Sequence, residues 1–214
     1  MSVKLVKNEI VCFLGSPESE VICISGKWGV GKTYAWRQYL EETQKNNLIS
    51  KNYEKYAYIS LFGQNSLRDV KSSIFPSTIS IDKLKEGPNV ETFLEKIHAK
   101  NWRTAVKLLS NALESKIHIT LDQLFLLSLR KQIICIDDIE RRGDGLQIGD
   151  ILGLVSYLKE EKKCKIVIIL NEEMLEDTDL REFKKQLEKV VDVFLKFVPT
   201  PEETCDIGIN KDSS

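Results

Sequence analysis

The segment GKWGVGKT, residues 26–33, constrains the fold more than any other stretch of this 214-residue chain. It fits the pattern G-x-x-x-x-G-K-[ST], in which glycines allow consecutive backbone N–H groups to turn inward around an anion. The apolar run VICIS precedes the segment, and TYAWRQYLEETQK, which is typical of a helix, follows it. A glycine-rich loop between a strand and a helix predicts a phosphate-binding loop rather than an accidental glycine turn.

The residue types of this loop indicate how it would hold a chain of phosphates. The following helix directs the partial positive charge of its N-terminus toward the loop. Lys32 is placed to reach the β- and γ-phosphates, and the Thr33 hydroxyl is placed to bind Mg²⁺. We predict that a nucleotide contacts Gly26, Lys27, Trp28, Gly29, Val30, Gly31, Lys32, Thr33 and Tyr34.

Short apolar runs recur along the chain and are typical of strands that are buried on both faces of a parallel sheet. They span residues 21–25, 56–62, 133–136 and 165–170, and a weaker fifth spans 193–198. Helical patterns alternate with these runs over residues 33–45, 149–163 and 179–191. The alternation predicts an α/β, three-layer P-loop NTPase fold with a mainly parallel five-stranded sheet.

The region between the second and third strands departs from this alternation. After a turn-rich stretch at 72–80, helical patterns cover residues 90–116 and 120–131. We therefore predict a helical insertion over about 64–131, within one domain that spans residues 1–203. The polar segment 204–214 is expected to be a flexible tail.

Two carboxylates follow the apolar run that ends at Ile136. Ligands of open α/β sheets bind at the carboxyl ends of the strands, where the glycine-rich loop also lies. We expect Asp137 to hold Mg²⁺, directly or through water. Asp138 points elsewhere because side chains alternate in direction along a strand, and it is a candidate to orient or deprotonate an attacking water. The alternative for either aspartate is that it caps a local turn.

Composition excludes several other classes of protein. The net charge of −1 gives no overall attraction to nucleic acid or to an anionic membrane. No run reaches the roughly 18 apolar residues of a membrane helix, and residues 1–15 lack the features of a secretory signal. The five cysteines form no CxxC pair, and Cys23 and Cys135 lie inside apolar runs. These features favour a cytoplasmic protein with reduced thiols.

Three segments together resemble the KAP family of P-loop NTPases. They are the tryptophan-bearing loop GKWGVGKT, the segment YISLFG at residues 58–63, and IDDIER at residues 136–141. The segment LEKVVDVFLKFVPTPEE, residues 187–203, is similar to the end of that family's core. The resemblance extends from about residue 8 to residue 203 and is weakest over residues 66–131.

This resemblance implies ATP and Mg²⁺ as ligands, kinship with the AAA+ and STAND ATPases, and an acidic strand that is not adjacent to the glycine-loop strand. It also implies that Asn171, just after the fourth strand, senses the γ-phosphate, the alternative being an ordinary turn residue. Arg141 falls on the family's arginine, which either pairs with Glu140 or Asp144 or faces a neighbouring subunit's phosphate. Trp28 is expected to pack over the loop rather than to stack on a base.

Two features of the loop and of the C-terminal region qualify this interpretation. Lys27 also occurs in the loops of ParA and MinD partition ATPases, where the lysine touches a partner's nucleotide, but a solvent-exposed lysine is favoured. KAP relatives continue into a helical lid after the fifth strand, and this chain ends about 16 residues beyond Val198. We therefore expect a core without its lid. The segment NKDS, residues 210–213, does not have the spacing of a guanine-reading motif.

Three functions are consistent with these residues. The first is an NTPase domain that hydrolyses ATP at the γ-phosphate, slowly in isolation, in a homo-oligomer or larger assembly. The second is a nucleotide-dependent switch that rarely hydrolyses ATP, and the third is a non-catalytic interaction module. By analogy with the family, any of them would belong to phage exclusion or defence signalling in bacteria.

Overall fold

A computed structural model describes residues 3–74, 76–84, 129–200 and 203. The described helices are α1 (Val3–Gly15), α2 (Lys32–Lys45), α3 (Leu67–Ile74), α4 (Ile148–Glu160) and α5 (Asp177–Val190). The described strands are β1 (Val21–Ser25), β2 (Lys55–Ser60), β3 (Thr78–Ser80), β4 (Ile133–Asp137), β5 (Lys165–Leu170) and β6 (Val193–Lys196). Short 3₁₀ turns span Ile81–Lys83, Ile139–Arg141 and Glu172–Met174.

These strands form one sheet in the order β3-β2-β4-β5-β1-β6. The five predicted strands are all present and run parallel to one another, and β3 adds a short sixth strand, antiparallel to β2, at the edge. Strand β5 separates β1 from β4, so the acidic strand and the glycine-loop strand are not adjacent. This confirms the sheet order that the resemblance implied.

Helices cover both faces of the sheet and make a three-layer α/β structure. Alternate residues of the central strands point to opposite faces, as in β1, where Ile22 and Ile24 face one layer and Val21 and Cys23 the other. Helices α1 and α2 pack on the first face, and α3, α4 and α5 pack on the second. The central strands are fully buried because both of their faces are covered.

Two parts of the sequence interpretation change. Helix α1 was not predicted, although Val6, Ile10, Phe13 and Leu14 have helical spacing and are buried. The stretch expected to be turn-rich contains the end of α3 and strand β3 instead. The predicted helix at 90–116, residues 120–128 of the predicted helix at 120–131, and the predicted tail at 204–214 lie outside the described residues. Residues 129–131, the expected end of the second of these helices, are not helical. Within the part of the chain that is described, none of the helices has the length and apolar character needed to cross a bilayer.

Candidate nucleotide site

The glycine-rich loop lies at the carboxyl end of β1 and leads directly into α2. Gly29 and Gly31 adopt positive φ angles of 78° and 88°, which glycine reaches without steric cost. Gly31 is the N-cap of α2 and provides no side-chain hydrogen bond to the helix. The first N–H groups of α2 therefore have no partner within the helix and face the end where an anion would bind.

Lys32 closes the loop on itself. Its Nζ atom donates hydrogen bonds to the carbonyl oxygens of Gly26 (2.7 Å) and Lys27 (2.8 Å). Burial lowers the pKa of the Lys32 ammonium, and carboxylates oppose that shift, with Glu140 contributing the largest opposing effect. These two hydrogen bonds hold the Lys32 ammonium at the mouth of the loop. An incoming phosphate can take the place of the two carbonyl oxygens as its hydrogen-bond acceptor.

Asp137 is the last residue of β4 and is 5% exposed. Its Oδ2 atom accepts hydrogen bonds from the hydroxyls of Thr33 (2.7 Å) and Tyr58 (2.9 Å), and its Oδ1 atom accepts one from the N–H of Asp138 (2.8 Å). Burial raises the pKa of the Asp137 carboxyl, while these three donors lower it. The contact with Thr33 joins the two predicted metal ligands, although 104 residues separate them in sequence.

Asp138 leaves the strand in the left-handed conformation, with φ 58° and ψ 38°. Its side chain accepts a hydrogen bond from Ser60 Oγ (2.7 Å) and lies 3.6 Å from Arg141 Nη1. Its partners differ from those of Asp137, and its left-handed backbone shows that Asp138 does not continue the strand whose alternation was expected to set its direction. Both of its carboxylate oxygens therefore have partners in the protein.

The sequence predicted that Arg141 would pair with Glu140 or Asp144, but its guanidinium pairs with Asp138 instead. The 3₁₀ turn Ile139–Arg141 has about three residues per turn, so residues 138 and 141 lie on the same side of it. The guanidinium also stacks over the exposed ring of Phe62, with 4.1 Å between Cζ and the ring centroid. This contact brings the ends of β2 and β4 together at the rim of the site.

Glu140 was not singled out in the sequence as a site residue. Its Oε2 atom is buried and has no hydrogen-bond partner among the described residues. Burial raises the pKa of this carboxyl, opposed by backbone N–H groups at Glu140 and Asn171 and by the charge of Lys32. The signal in the sequence was its position three residues after Asp137 in IDDIER, but burial and the unpartnered oxygen require the structure.

Asn171 directly follows β5, between the glycine loop and the acidic strand end, and is 5% exposed. Its Oδ1 atom accepts a hydrogen bond from the N–H of Glu173 (3.2 Å), so it caps the following 3₁₀ turn. The next residue, Glu172, accepts a hydrogen bond from Ser25 Oγ at the end of β1. These contacts fix the end of β5 against the base of the loop.

The side chains of Trp28 and Lys27, in the loop, are exposed. Trp28 is 79% exposed, so the expectation that it packs over the loop is wrong. Lys27 is exposed as favoured, and its Nζ atom lies 3.8 Å from Glu173. A pair this exposed contributes little to stability. Val30 and Tyr34 are partly buried.

A cavity of about 540 Å³ opens beside the loop. It is bounded by the loop, by the segment after β5 and by the segment after β6, and its walls include Gly26, Val30, Asn171, Phe197 and Pro199. Its volume falls within the range of small-molecule pockets. No cluster of three or more metal-ligating His, Cys, Asp or Glu side chains occurs among the described residues.

Comparisons with known proteins identify no family for this chain. No protein-family model matches the chain, and no curated protein matches it. Among solved structures, the Aeropyrum pernix ORC1 protein in complex with DNA has a TM-score of 0.49 at 14% identity, over 99% of this chain and 48% of that one. The Aeropyrum pernix ORC2 protein, in ADPNP–ADP complexes, has a TM-score of 0.47 at 13% identity, over 96% and 50%.

The flagellar accessory protein FlaH from Methanocaldococcus jannaschii has a TM-score of 0.42 at 15% identity, over 89% of this chain and 76% of that one. The chain spans about half the length of the two ORC proteins. All three TM-scores are below 0.5, so nothing about ligand or activity follows from them for this chain. The fold is that of a P-loop NTPase, as the loop, the sheet order and the acidic strand end of the structure itself indicate.

Proposed function

We propose that this chain is an ATP-binding, Mg²⁺-dependent P-loop NTPase domain of KAP type that hydrolyses ATP at the γ-phosphate. One observation carries the proposal, the 2.7 Å hydrogen bond between Thr33 Oγ1 and Asp137 Oδ2. It joins the residue after the loop lysine to the acidic strand end across an intervening strand. Hydroxyl and carboxylate oxygens are the hard ligands that Mg²⁺ prefers, so the donor set fits this ion.

The loop fits a triphosphate for electrostatic reasons. Unpaired N–H groups at the start of α2, the Lys32 ammonium and the open conformations of Gly29 and Gly31 all favour an anion at the same place. Lys32 already forms two hydrogen bonds to loop carbonyls, so its charge is oriented before a ligand arrives. The adjoining cavity provides room for the remainder of a nucleotide.

Phosphoryl transfer depends on positioned charge around the terminal phosphate. When bound, Mg²⁺ would neutralise charge on the phosphates. Lys32 adds a second positive charge, and Asp137 and Thr33 are the residues that would hold the ion. Asn171, at the end of β5, is positioned to donate a hydrogen bond from its amide to a ligand beside the loop.

Two carboxylates are candidates to orient the attacking water. Asp138 is the residue expected from the sequence, and its oxygens are engaged by Ser60 and Arg141. Glu140 has a buried oxygen without a partner and an electrostatic interaction with Lys32. We expect Asp138→Asn to lower turnover while ATP binding persists. Glu140→Gln, measured in parallel, tests whether the Glu140 carboxylate carries that role instead.

The engagement of Asp138 favours a second candidate function, a nucleotide-dependent switch that hydrolyses ATP rarely. The oxygens of Asp138 already interact with Ser60 and Arg141, so less of their acceptor capacity remains for an attacking water. An arginine supplied by a neighbouring molecule contributes about 10³ to 10⁵ in rate in related chemistry. Turnover per molecule that rises with protein concentration would identify a homo-oligomer as the active form.

The wider assignments extend this proposal. We propose that residues 1–203 form one KAP-type domain with an insertion over about 64–131, and that the protein acts in the cytoplasm. A role in bacterial phage exclusion or defence signalling follows from the family analogy.

Calorimetric titration of the chain with ATP, with and without Mg²⁺, tests the proposed function. Lys32→Ala should weaken ATP–Mg²⁺ binding by about 10- to 100-fold, because a hydrogen-bonded charge on the phosphates is lost. Lys45→Ala is the matched control, since it makes the same change at the other end of α2. Equal ATP affinity in Lys32→Ala and the unmodified chain would reject the site.

A further inference from the structure

Tyr58 is a contact of the candidate metal ligand that the sequence interpretation did not assign. It lies in β2 and pairs with Cys135 of β4, two residues before the pair formed by Ser60 and Asp137. Its hydroxyl reaches along the sheet and donates to Asp137 Oδ2 at 2.9 Å. Thr33 donates to the same oxygen at 2.7 Å.

These contacts distribute the acceptor capacity of Asp137 unequally between its two oxygens. Each oxygen of an ionised carboxylate has about two lone-pair sites. Oδ2 has accepted two hydroxyl donors, whereas Oδ1 has accepted one donor, the N–H of Asp138. Oδ1 is therefore the oxygen with acceptor capacity left for a cation or for water next to it.

The Tyr58 ring is held in place, so this distribution is a fixed property of the site. The guanidinium of Arg37, on α2, lies 4.6 Å from the centre of the Tyr58 ring. A tyrosine hydroxyl keeps its proton at neutral pH, so Tyr58 remains a donor. A Tyr58→Phe change would remove the donor and leave the ring with its contact to Arg37.

We propose that Tyr58 is a positioning residue that makes Asp137 available to a divalent cation through one oxygen, Oδ1, and thereby favours Mg²⁺ over Ca²⁺. This inference rests on the proposed function, because it concerns the ion that accompanies the nucleotide. Mg²⁺ requires near-octahedral coordination with few carboxylate contacts, whereas Ca²⁺ accepts both oxygens of a carboxylate and more variable geometry. An Asp137 that is free to turn would suit Ca²⁺ better and Mg²⁺ less well.

The experiment compares Tyr58→Phe with Tyr56→Phe in the full chain. Tyr56 is on the same strand and loses the same atom, but its hydroxyl accepts from Trp36 Nε1 (3.0 Å) in the core and does not touch Asp137. ATP binding is measured by calorimetry in EDTA, in a Mg²⁺ titration and in a Ca²⁺ titration. Circular dichroism at low temperature establishes that each variant is folded, and binding is expressed per folded molecule.

We expect Tyr58→Phe to need about tenfold more Mg²⁺ for half of the cation-dependent gain in ATP affinity, a typical effect of losing a hydrogen bond to a metal ligand. The Ca²⁺ requirement should stay the same or fall, so the preference for Mg²⁺ over Ca²⁺ drops about tenfold. Tyr56→Phe should keep the preference of the unmodified chain.

Three results would overturn the inference: an unchanged Mg²⁺ requirement in Tyr58→Phe, equal weakening with both cations, or the same loss in Tyr56→Phe. Failure of the proposed function looks different, since the unmodified chain would then show no cation-dependent gain in ATP affinity at all.

Discussion

Gly26, the first glycine of the loop, is required by the packing of the sheet as well as by the phosphate site. A Cβ atom at this position would lie 2.6 Å from the carbonyl oxygen of Phe197 and 3.4 Å from Cδ of Lys32. Phe197 cannot easily withdraw, because its N–H donates to the Ser25 carbonyl at 2.7 Å and its ring is buried in the core. We therefore predict that Gly26→Ala destabilises the fold.

The magnitude follows from the overlap. Ordinary contact with a Cβ atom begins at about 3.4 Å, so the loop and the segment after β6 must separate by several tenths of an ångström. Overpacking of this kind costs about 1 to 3 kcal/mol. For a protein of this size, each kcal/mol lowers the melting temperature by about 2 to 4 °C, so the expected decrease is about 2 to 12 °C.

The matched control is Gly153→Ala, the same substitution on the exposed side of α4. A Cβ atom there meets no other atom within 4 Å. Replacing glycine by alanine inside a helix stabilises by about 0.5 to 1 kcal/mol, so this variant should melt at a slightly higher temperature. Thermal unfolding followed by circular dichroism measures both. A Gly26→Ala variant as stable as the unmodified chain would refute the packing argument.

Two further predictions concern the carboxylates and the thiols. Asp137→Ala should abolish the Mg²⁺ dependence of ATP binding, whereas Asp138→Asn should keep ATP binding and lower turnover, because the two side chains have different partners. Equal loss of ATP affinity in titrations of both variants would contradict this division of roles. In a Cys205→Ser background at pH 8, a thiol reagent should label exposed Cys12 quickly. The reagent should label the buried thiols of Cys23, Cys135 and Cys164 only after denaturation. Burial also raises the pKa of the Cys164 thiol to about 11, which slows its reaction further. Rapid labelling of more than one thiol in the native chain would contradict the burial.

The features that could be predicted from the sequence are those set by residues close together in the chain. The strands VICIS and KIVIIL appear in the structure with the predicted bounds, because a run buried on both faces is apolar throughout. The start of α2 in the glycine loop is likewise local. Strand β3 was missed because its three residues are a strand through pairing with β2, which a local pattern does not reveal.

The contacts within the candidate site required the fold. Tyr58 and Ser60 reach Asp137 and Asp138 from 79 and 78 residues away, and they do so because β2 and β4 are neighbours in the sheet. The exposure of Trp28 depends on which parts of the fold surround the loop. Neither these contacts nor the exposure of Trp28 can be predicted from the pattern of residue types along the chain.

The central claim is that Thr33 and Asp137 act together on one Mg²⁺ ion that accompanies ATP, and a double-mutant cycle tests it most directly. ATP affinity is measured by calorimetry in EDTA and in Mg²⁺ for the unmodified chain, Thr33→Val, Asp137→Asn and the double variant. Because both residues would serve one ion, each single change should remove most of the Mg²⁺-dependent gain, and the double change should remove no more than the larger single effect. Losses that add, or an unmodified chain whose ATP affinity does not respond to Mg²⁺, would contradict the account.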